Sequence, residues 1–162
     1  MNHNQIDPAQ RDFLLIAEDN PADVGLIRLA LKKYAVLSDL HVIQDGESAM
    51  RFIEDVESDN AASCPALAIV DLNLPRRSGD EVLQRIRAST KWRDVPVIVM
   101  SSSLSMRDRA GALESGASAY FSKPSDLEKF LELGGLVKDA LRVDRRTAAG
   151  QDQRAGGRSA SR

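Results

Sequence analysis

An α/β fold, a doubly wound parallel sheet of five strands, is predicted for this 162-residue chain by three observations. Two uninterrupted apolar runs, Phe13-Leu14-Leu15-Ile16-Ala17 and Leu67-Ala68-Ile69-Val70, have the character of strands buried on both faces, as in parallel sheets. Each run stops abruptly at carboxylates, Glu18-Asp19 after the first and Asp71 after the second. An unpaired carboxylate is costly to bury, so these residues belong at the mouths of the strands. Strand and helix patterns then alternate five times along the chain, which implies βαβ units with right-handed crossovers and helices on both faces of the sheet.

The elements follow in order. After the first strand, Asn20 is a good N-cap and Pro21 a favoured first helical residue. The helix they open runs to about Ala35, with Val24, Ile27, Leu31 and Tyr34 at helical spacing. Leu40 to Ile43 is a short strand, Asp45-Gly46 a turn, and Glu47 to about Val56 a second helix with Ala49, Met50, Ile53 and Val56 inward. A polar loop, Glu57 to Pro65, leads to the strand that ends at Asp71. Pro75 and Gly79 mark the loop before a third helix, Asp80 to Ala88. Pro96 to Met100 is the fourth strand, ending in Ser101-Ser102-Ser103. Met106 to Ser115 is a short helix closed by Gly116, and Ala119-Tyr120-Phe121 is the fifth strand. Lys123-Pro124 follows it, and Ser125 is expected to cap a final helix reaching about Arg142.

The predicted organisation is one domain over residues 11–143, flanked by a disordered N-terminus (1–10) and a disordered basic tail (144–162). The tail has no large apolar residue and carries five arginines against two aspartates. Overall the chain is 43% hydrophobic and has a formal charge of −2, which gives no general case for nucleic-acid binding. Cys64 is the single cysteine, so no intramolecular disulfide can form, as suits a reducing compartment. No apolar run approaches the ~20 residues of a membrane span, and Met1 to Gln10 lack the apolar core of a signal peptide. A cytoplasmic protein without membrane contact is expected. His3 and His41 have no partner at metal-ligand spacing, and Trp92 in its polar stretch is expected to pack locally.

In an open parallel sheet, ligands bind beyond the carboxyl ends of the strands. Glu18, Asp19, Asp71, Ser101 and Lys123 all stand at such ends, hence along one edge. Three carboxylates there repel one another and call for positive charge. Lys123 supplies one unit, and a hard divalent cation such as Mg²⁺, which takes one or two carboxylates, waters and a phosphate oxygen, supplies the rest. That set suits phosphoryl transfer with Asp71 as nucleophile, Lys123 and the cation stabilising charge on the transferring oxygens, and the Ser101 hydroxyl bonding one of them.

Four motifs in this order resemble a response-regulator receiver domain of two-component signalling: Glu18-Asp19, Asp71-Leu72-Asn73-Leu74-Pro75, Ser101-Ser102 and Lys123-Pro124. The resemblance covers about Arg11 to Arg142. The phrases Glu18-Asp19-Asn20-Pro21-Ala22-Asp23 and Asp71-Leu72-Asn73-Leu74-Pro75-Arg76 look most like single-domain regulators partnered with phytochrome-like sensor kinases. The resemblance implies a CheY-like, flavodoxin-like (βα)5 sheet with strand order 2-1-3-4-5. It implies Asp71 as phosphoacceptor. Mg²⁺ would be held by Asp19 directly, Glu18 through water, Asp71, and the backbone carbonyl of Asn73. Ser101 would be the switch hydroxyl, Ser102 the residue whose amide meets the phosphoryl group, Lys123 the phosphoryl-binding lysine, Tyr120 the aromatic switch, and Lys123-Pro124 a cis peptide.

The expected role is a phosphorylation switch that takes its phosphoryl group from a sensor histidine kinase, a bacteriophytochrome being one such kinase. It would signal through protein contacts or phosphorelay, catalysing only its own phosphorylation and dephosphorylation. Three other readings compete. A phosphatase resembling haloacid dehalogenases wants an acid two residues after its nucleophile, where this chain has Asn73. A flavodoxin-like cofactor binder wants a hydroxyl-rich loop where Glu18-Asp19 would repel phosphate. A degenerate receiver would not keep the acids and the lysine. A homodimer through the fourth helix, fifth strand and final helix is expected as well. Leu127, Phe130, Leu131, Leu133, Leu136, Val137 and Leu141 spread beyond the ~100° stripe that packing on a sheet requires.

Overall fold

The computed structural model describes residues 12–155. Five parallel strands, β1 (Phe13–Ala17), β2 (Asp39–Ile43), β3 (Leu67–Asp71), β4 (Val97–Ser101) and β5 (Ala119–Ser122), lie in the order β2-β1-β3-β4-β5. The helices between them are α1 (Pro21–Lys33), α2 (Gly46–Ser58), α3 (Gly79–Ala88) and α4 (Met106–Glu114), with α5 (Leu127–Leu131) and α6 (Leu133–Ala155) after β5. This is the flavodoxin-like order, and every residue of β3 and β4 is buried.

Alternation along the strands sorts the apolar residues into two cores. Leu15, Ala17, Ala68, Val70, Val97 and Val99 face α2, α3 and α4, where Ile53, Val82, Leu83 and Ile86 meet them. Leu14, Ile16, Leu67, Ile69, Ile98 and Met100 face α1, α5 and α6, where Ile27, Leu31, Phe130, Leu133 and Val137 close the layer. At about 1.5–3 kcal/mol for each large side chain withdrawn from water, these two layers dominate the stability. Trp92 belongs to the first core, with no exposed surface, and stands edge-on to Phe52, which in turn stacks on His41. Trp92 therefore packs into the core against a residue of α2, not locally as its polar stretch suggests.

Helix starts follow the capping chemistry. Asn20 Oδ1 accepts from Ala22 N at 2.9 Å with Pro21 at the first helical position. Asp45 accepts from Ser48 N at 2.7 Å, and Ser78 forms a reciprocal capping box with Glu81. At the last start the cap is Asp126, accepting from Lys129 N at 2.9 Å, and not Ser125.

The C-terminal region departs from the sequence-based expectation in three ways. The final helix is two segments, interrupted at Glu132. Just past the interruption the chain approaches α1 so closely that a Cβ on Gly134 would lie 2.1 Å from the Ala30 carbonyl oxygen. Second, α6 does not stop near Arg142. Residues 144–155, expected to be disordered, continue the helix, because propagation from a packed first half costs little and alanine, arginine and glutamine are good helix formers. Arg145 also reaches Asp12 at 3.3 Å, and Thr147 Oγ1 donates to the Val143 carbonyl at 3.0 Å. Third, the apolar surplus of this region is absorbed within the chain. Leu131, Leu136 and Leu141 pack, partly buried, on the core that α1 shares, leaving Leu127 exposed. The expected N-terminal segment, 1–10, and the end of the expected tail, 156–162, lie outside the described residues.

Candidate functional site

Register builds the site. Ala17 is level with Val70, so Glu18 stands beside Asp71 at the ends of β1 and β3. Asp71 is level with Met100, and Ser101 with Ser122, so Ser101 stands one step further out than Asp71 and Lys123 two. Lys123 N donates to the Ser101 carbonyl at 2.7 Å and fixes the turn from which its side chain reaches back across the edge.

The lysine is the centre of the arrangement. Its Nζ donates to Glu18 Oε2 at 2.8 Å, to Asp23 Oδ2 at 2.8 Å, and to Asp71 Oδ2. Glu18 and Asp71 are buried, Lys123 and Asp23 nearly so. Asp71 Oδ1 accepts from Asn73 N at 2.7 Å, and Glu18 Oε1 from Asn20 N at 3.0 Å.

These contacts set the electrostatics. Burial first, then the neighbouring Asp71 carboxylate, push the Glu18 carboxyl up to about 7. Burial also opposes ionisation of Asp71. The hydrogen bonds it accepts from Glu18, Lys123 and Asn73 N–H outweigh burial and hold it below the usual carboxylate range. The two carboxyls are thus pushed apart, Glu18 the weaker acid and Asp71 the stronger. Burial opposes the charge on Lys123 too, but Asp23, Asp71 and Glu18 together raise its affinity for the proton above that of an ordinary lysine.

Glu18, Asp19 and Asp71 each offer a carboxylate oxygen, and the three oxygens lie within 4.8 Å of one another. Hard oxygen donors converging with one exposed flank, at Asp19, fit a divalent cation that keeps some of its waters. A cleft of about 760 Å³ bounded by Asn73, Ser101, Ser103, Asp108 and Asp80 opens beside the cluster.

Of the residues singled out from the sequence, Glu18, Asp19, Asp71 and Lys123 converge. Ser101 is buried at the same edge, where its Oγ accepts from Ser103 N at 3.0 Å, and Ser102 next to it is exposed. Asn73 contributes a backbone N–H to Asp71. Tyr120 already lies inward, 7% exposed within the first core, its hydroxyl donating to the Ser103 carbonyl at 3.3 Å. The Lys123-Pro124 peptide is trans, as are all peptides among the described residues, so the expected cis peptide is corrected. Trans is the intrinsically favoured isomer even before proline, and Lys123 meets its three acceptors from it.

Asp23 is the residue that sequence reasoning missed. It occupies the third position of α1, where a side chain leans back toward the helix start. An acid there ordinarily bonds the N-cap backbone N–H, but Glu18 has taken that donor, and Asp23 turns to Lys123 instead. The legible signal was an acid in the first turn right after a strand-end acidic pair.

The profile of the family described as response regulator receiver domain matches residues 14–133. The response regulator Rcp1 of Synechocystis is 29% identical over 120 residues, which are 74% of this chain and 82% of that protein. The crystal structure of its Mn²⁺-bound form superposes with a TM-score of 0.69 at 28% identity, covering 77% of this chain and 91% of that one. The phosphorylated cyanobacterial phytochrome response regulator RcpA gives a TM-score of 0.68 at 29% identity, covering 78% and 91%. With most of the fold inside the matched span and the acids and lysine gathered at its carboxyl edge, the chain belongs to the response regulator receiver domain family.

Proposed function

We propose that Asp71 accepts a phosphoryl group from the phosphohistidine of a sensor kinase. An Asp71 carboxylate oxygen attacks phosphorus, the P–N bond breaks, and its electron pair leaves with the imidazole, giving an acyl phosphate. The observation that supports this most is Asp71 itself: held ionised in a buried position, at the mouth of the central strand, against Lys123 and the Glu18–Asp19 pair. Lys123 neutralises charge on the transferring oxygens, while Ser101 and the Ser102 backbone amide stand next in the edge to receive them. Glu18, Asp19, Asp71 and the carbonyl of Asn73 would hold Mg²⁺. When bound, it adds positive charge beside the phosphoryl oxygens. Relatives named as phytochrome response regulators favour a phytochrome-type kinase as donor, working in the cytoplasm. No described helix is long and apolar enough to cross a membrane.

The test is intact mass after incubation with acetyl phosphate. One phosphoryl adduct per chain is expected with Mg²⁺, none with chelator, and none in Asp71→Asn. An adduct at full yield in that variant would place the acceptor elsewhere. With purified kinases in place of acetyl phosphate, a phytochrome-type donor is expected to transfer faster than unrelated histidine kinases. Equal rates would remove that assignment.

Phosphorylation is read out, in this proposal, through homodimerisation on the face formed by α4, β5 and α5. Leu104 (84% exposed) and Met106 (78%) precede and open α4, Leu113 lies near its end, and Leu127 opens α5, so this side carries four of the large apolar residues left in water. Light scattering at tens of micromolar, with and without beryllium fluoride as acyl-phosphate mimic, should show the dimer increase with the mimic. A monomer in both states defeats the dimer.

A further inference from the structure

The ammonium group of Lys123 has three protons, and each is given to a carboxylate on a different element: Glu18 after β1, Asp23 in α1 and Asp71 in β3. This leaves Asp71 masked. Its Oδ1 accepts from Asn73 N, and its Oδ2 is covered by Lys123. A carboxylate oxygen whose lone pair is engaged by an ammonium group is a poor nucleophile. Phosphorylation of Asp71, the reading on which this inference rests, therefore requires Lys123 to leave Oδ2.

The three acceptors are not equivalent destinations. Asp71 is the group to be uncovered. Glu18 belongs to the acidic cluster that fits a divalent cation, and its other oxygen is engaged by Asn20 N. Asp23 stands outside that cluster, and its side chain has no second hydrogen bond among the described residues. It sits on the first turn of a 13-residue helix. Asp23 is carried by α1, whereas Asp71 and Ser101 end β3 and β4.

We infer that Asp23 is a positioning residue: it is the acceptor onto which Lys123 withdraws when Asp71 Oδ2 is freed for metal and phosphoryl group, and it keeps the ammonium within reach of the transferred oxygens. Without it, Lys123 stays on Asp71 and Glu18 and competes with the divalent cation for the same oxygens. A purely structural Asp23, serving the start of α1, would bond the N-cap N–H, which here goes to Glu18.

The experiment is a double-mutant cycle on the full chain, with Mg²⁺ affinity by calorimetry and phosphorylation by acetyl phosphate read in parallel. Asp23→Asn is expected to weaken Mg²⁺ binding about three- to tenfold and to slow phosphorylation by a similar factor, the net size of one hydrogen bond. Asp23→Glu is expected to restore much of both. In a Lys123→Ala background, or Lys123→Gln should the alanine variant not fold by circular dichroism, the same Asp23→Asn change is expected to have less than about a twofold effect. An equal loss in both backgrounds would show that Asp23 acts by its charge alone and would overturn the inference, as would wild-type Mg²⁺ affinity in the single variant. Absence of phosphorylation in the unmutated protein would count against the phosphoacceptor assignment instead, and the Mg²⁺ arm of the cycle would still decide the role of Asp23.

Discussion

Lys123→Ala is expected to move two properties in opposite directions. Phosphorylation of Asp71 by acetyl phosphate should slow by about 10²–10³-fold, the usual effect of removing one preorganised donor to a developing oxyanion. Mg²⁺ binding should tighten, by about tenfold, because the ammonium that occupies Asp71 Oδ2 and Glu18 Oε2 no longer competes for them. Stability without metal should fall, by up to about 3–5 kcal/mol, since the buried Asp71 charge loses its partner. Added Mg²⁺ should then recover most of the loss by mass action. Calorimetry, rate measurement and thermal melts on one preparation check all three. Weaker Mg²⁺ binding in the variant would show that Lys123 supports the cation site instead of competing with it.

Divalent-cation affinity is expected to rise by about tenfold per pH unit below pH 7 and to level off above it. Glu18, raised from an ordinary 4.5 to about 7 by burial and by Asp71, is protonated in the metal-free site at pH 6, and a cation is received by the carboxylate. Binding below pH 7 must therefore release a proton, countable by calorimetry in buffers of different ionisation enthalpy. The same shift has a stability counterpart. A carboxyl whose folded value is raised stabilises the fold fully below its unfolded value, and that contribution is lost as pH climbs from about 4.5 through 7. Asp71, held low, acts in the opposite sense: its contribution is present above 3.8, its ordinary value, and is lost as pH falls through its lower folded value. Glu18→Gln keeps the shape of the side chain and removes the titrating group, so the pH dependence of metal binding between 6 and 8 should flatten. An unchanged slope in that variant would assign the proton to another group.

How much of the fold and site is legible in the sequence depends on how local the cause is. The apolar runs of β1 and β3 and the carboxylates that end them are properties of consecutive residues, and they suffice to put Glu18, Asp19 and Asp71 on one edge. Lys123 is legible for the same reason, since a residue directly after a parallel strand has its position set by the sheet. Asn20, Asp45 and Ser78 are readable as boundaries because a cap is made within three residues of itself. Asp23 is not, because its role depends on which donor Glu18 has already taken and on the reach of a lysine 100 residues away. Trp92 in a polar stretch and the leucines of α6 mislead in the same way. Their neighbours in sequence suggest one environment, while their burial is decided by what packs over them.

Strand periodicity, helix spacing, caps and the order of the strand-end residues are short-range constraints, written in the chain itself. They determined the α/β class, the five-fold alternation and the acidic edge with its lysine. The tertiary structure alone decided which carboxylates Lys123 joins, which of them is the weaker acid, that α5 and α6 spend their surplus leucines on α1, and that the helix runs on to Ala155. These are outcomes of competition among groups far apart in sequence for the same protons and the same apolar surface, and such a competition is settled only when the groups meet.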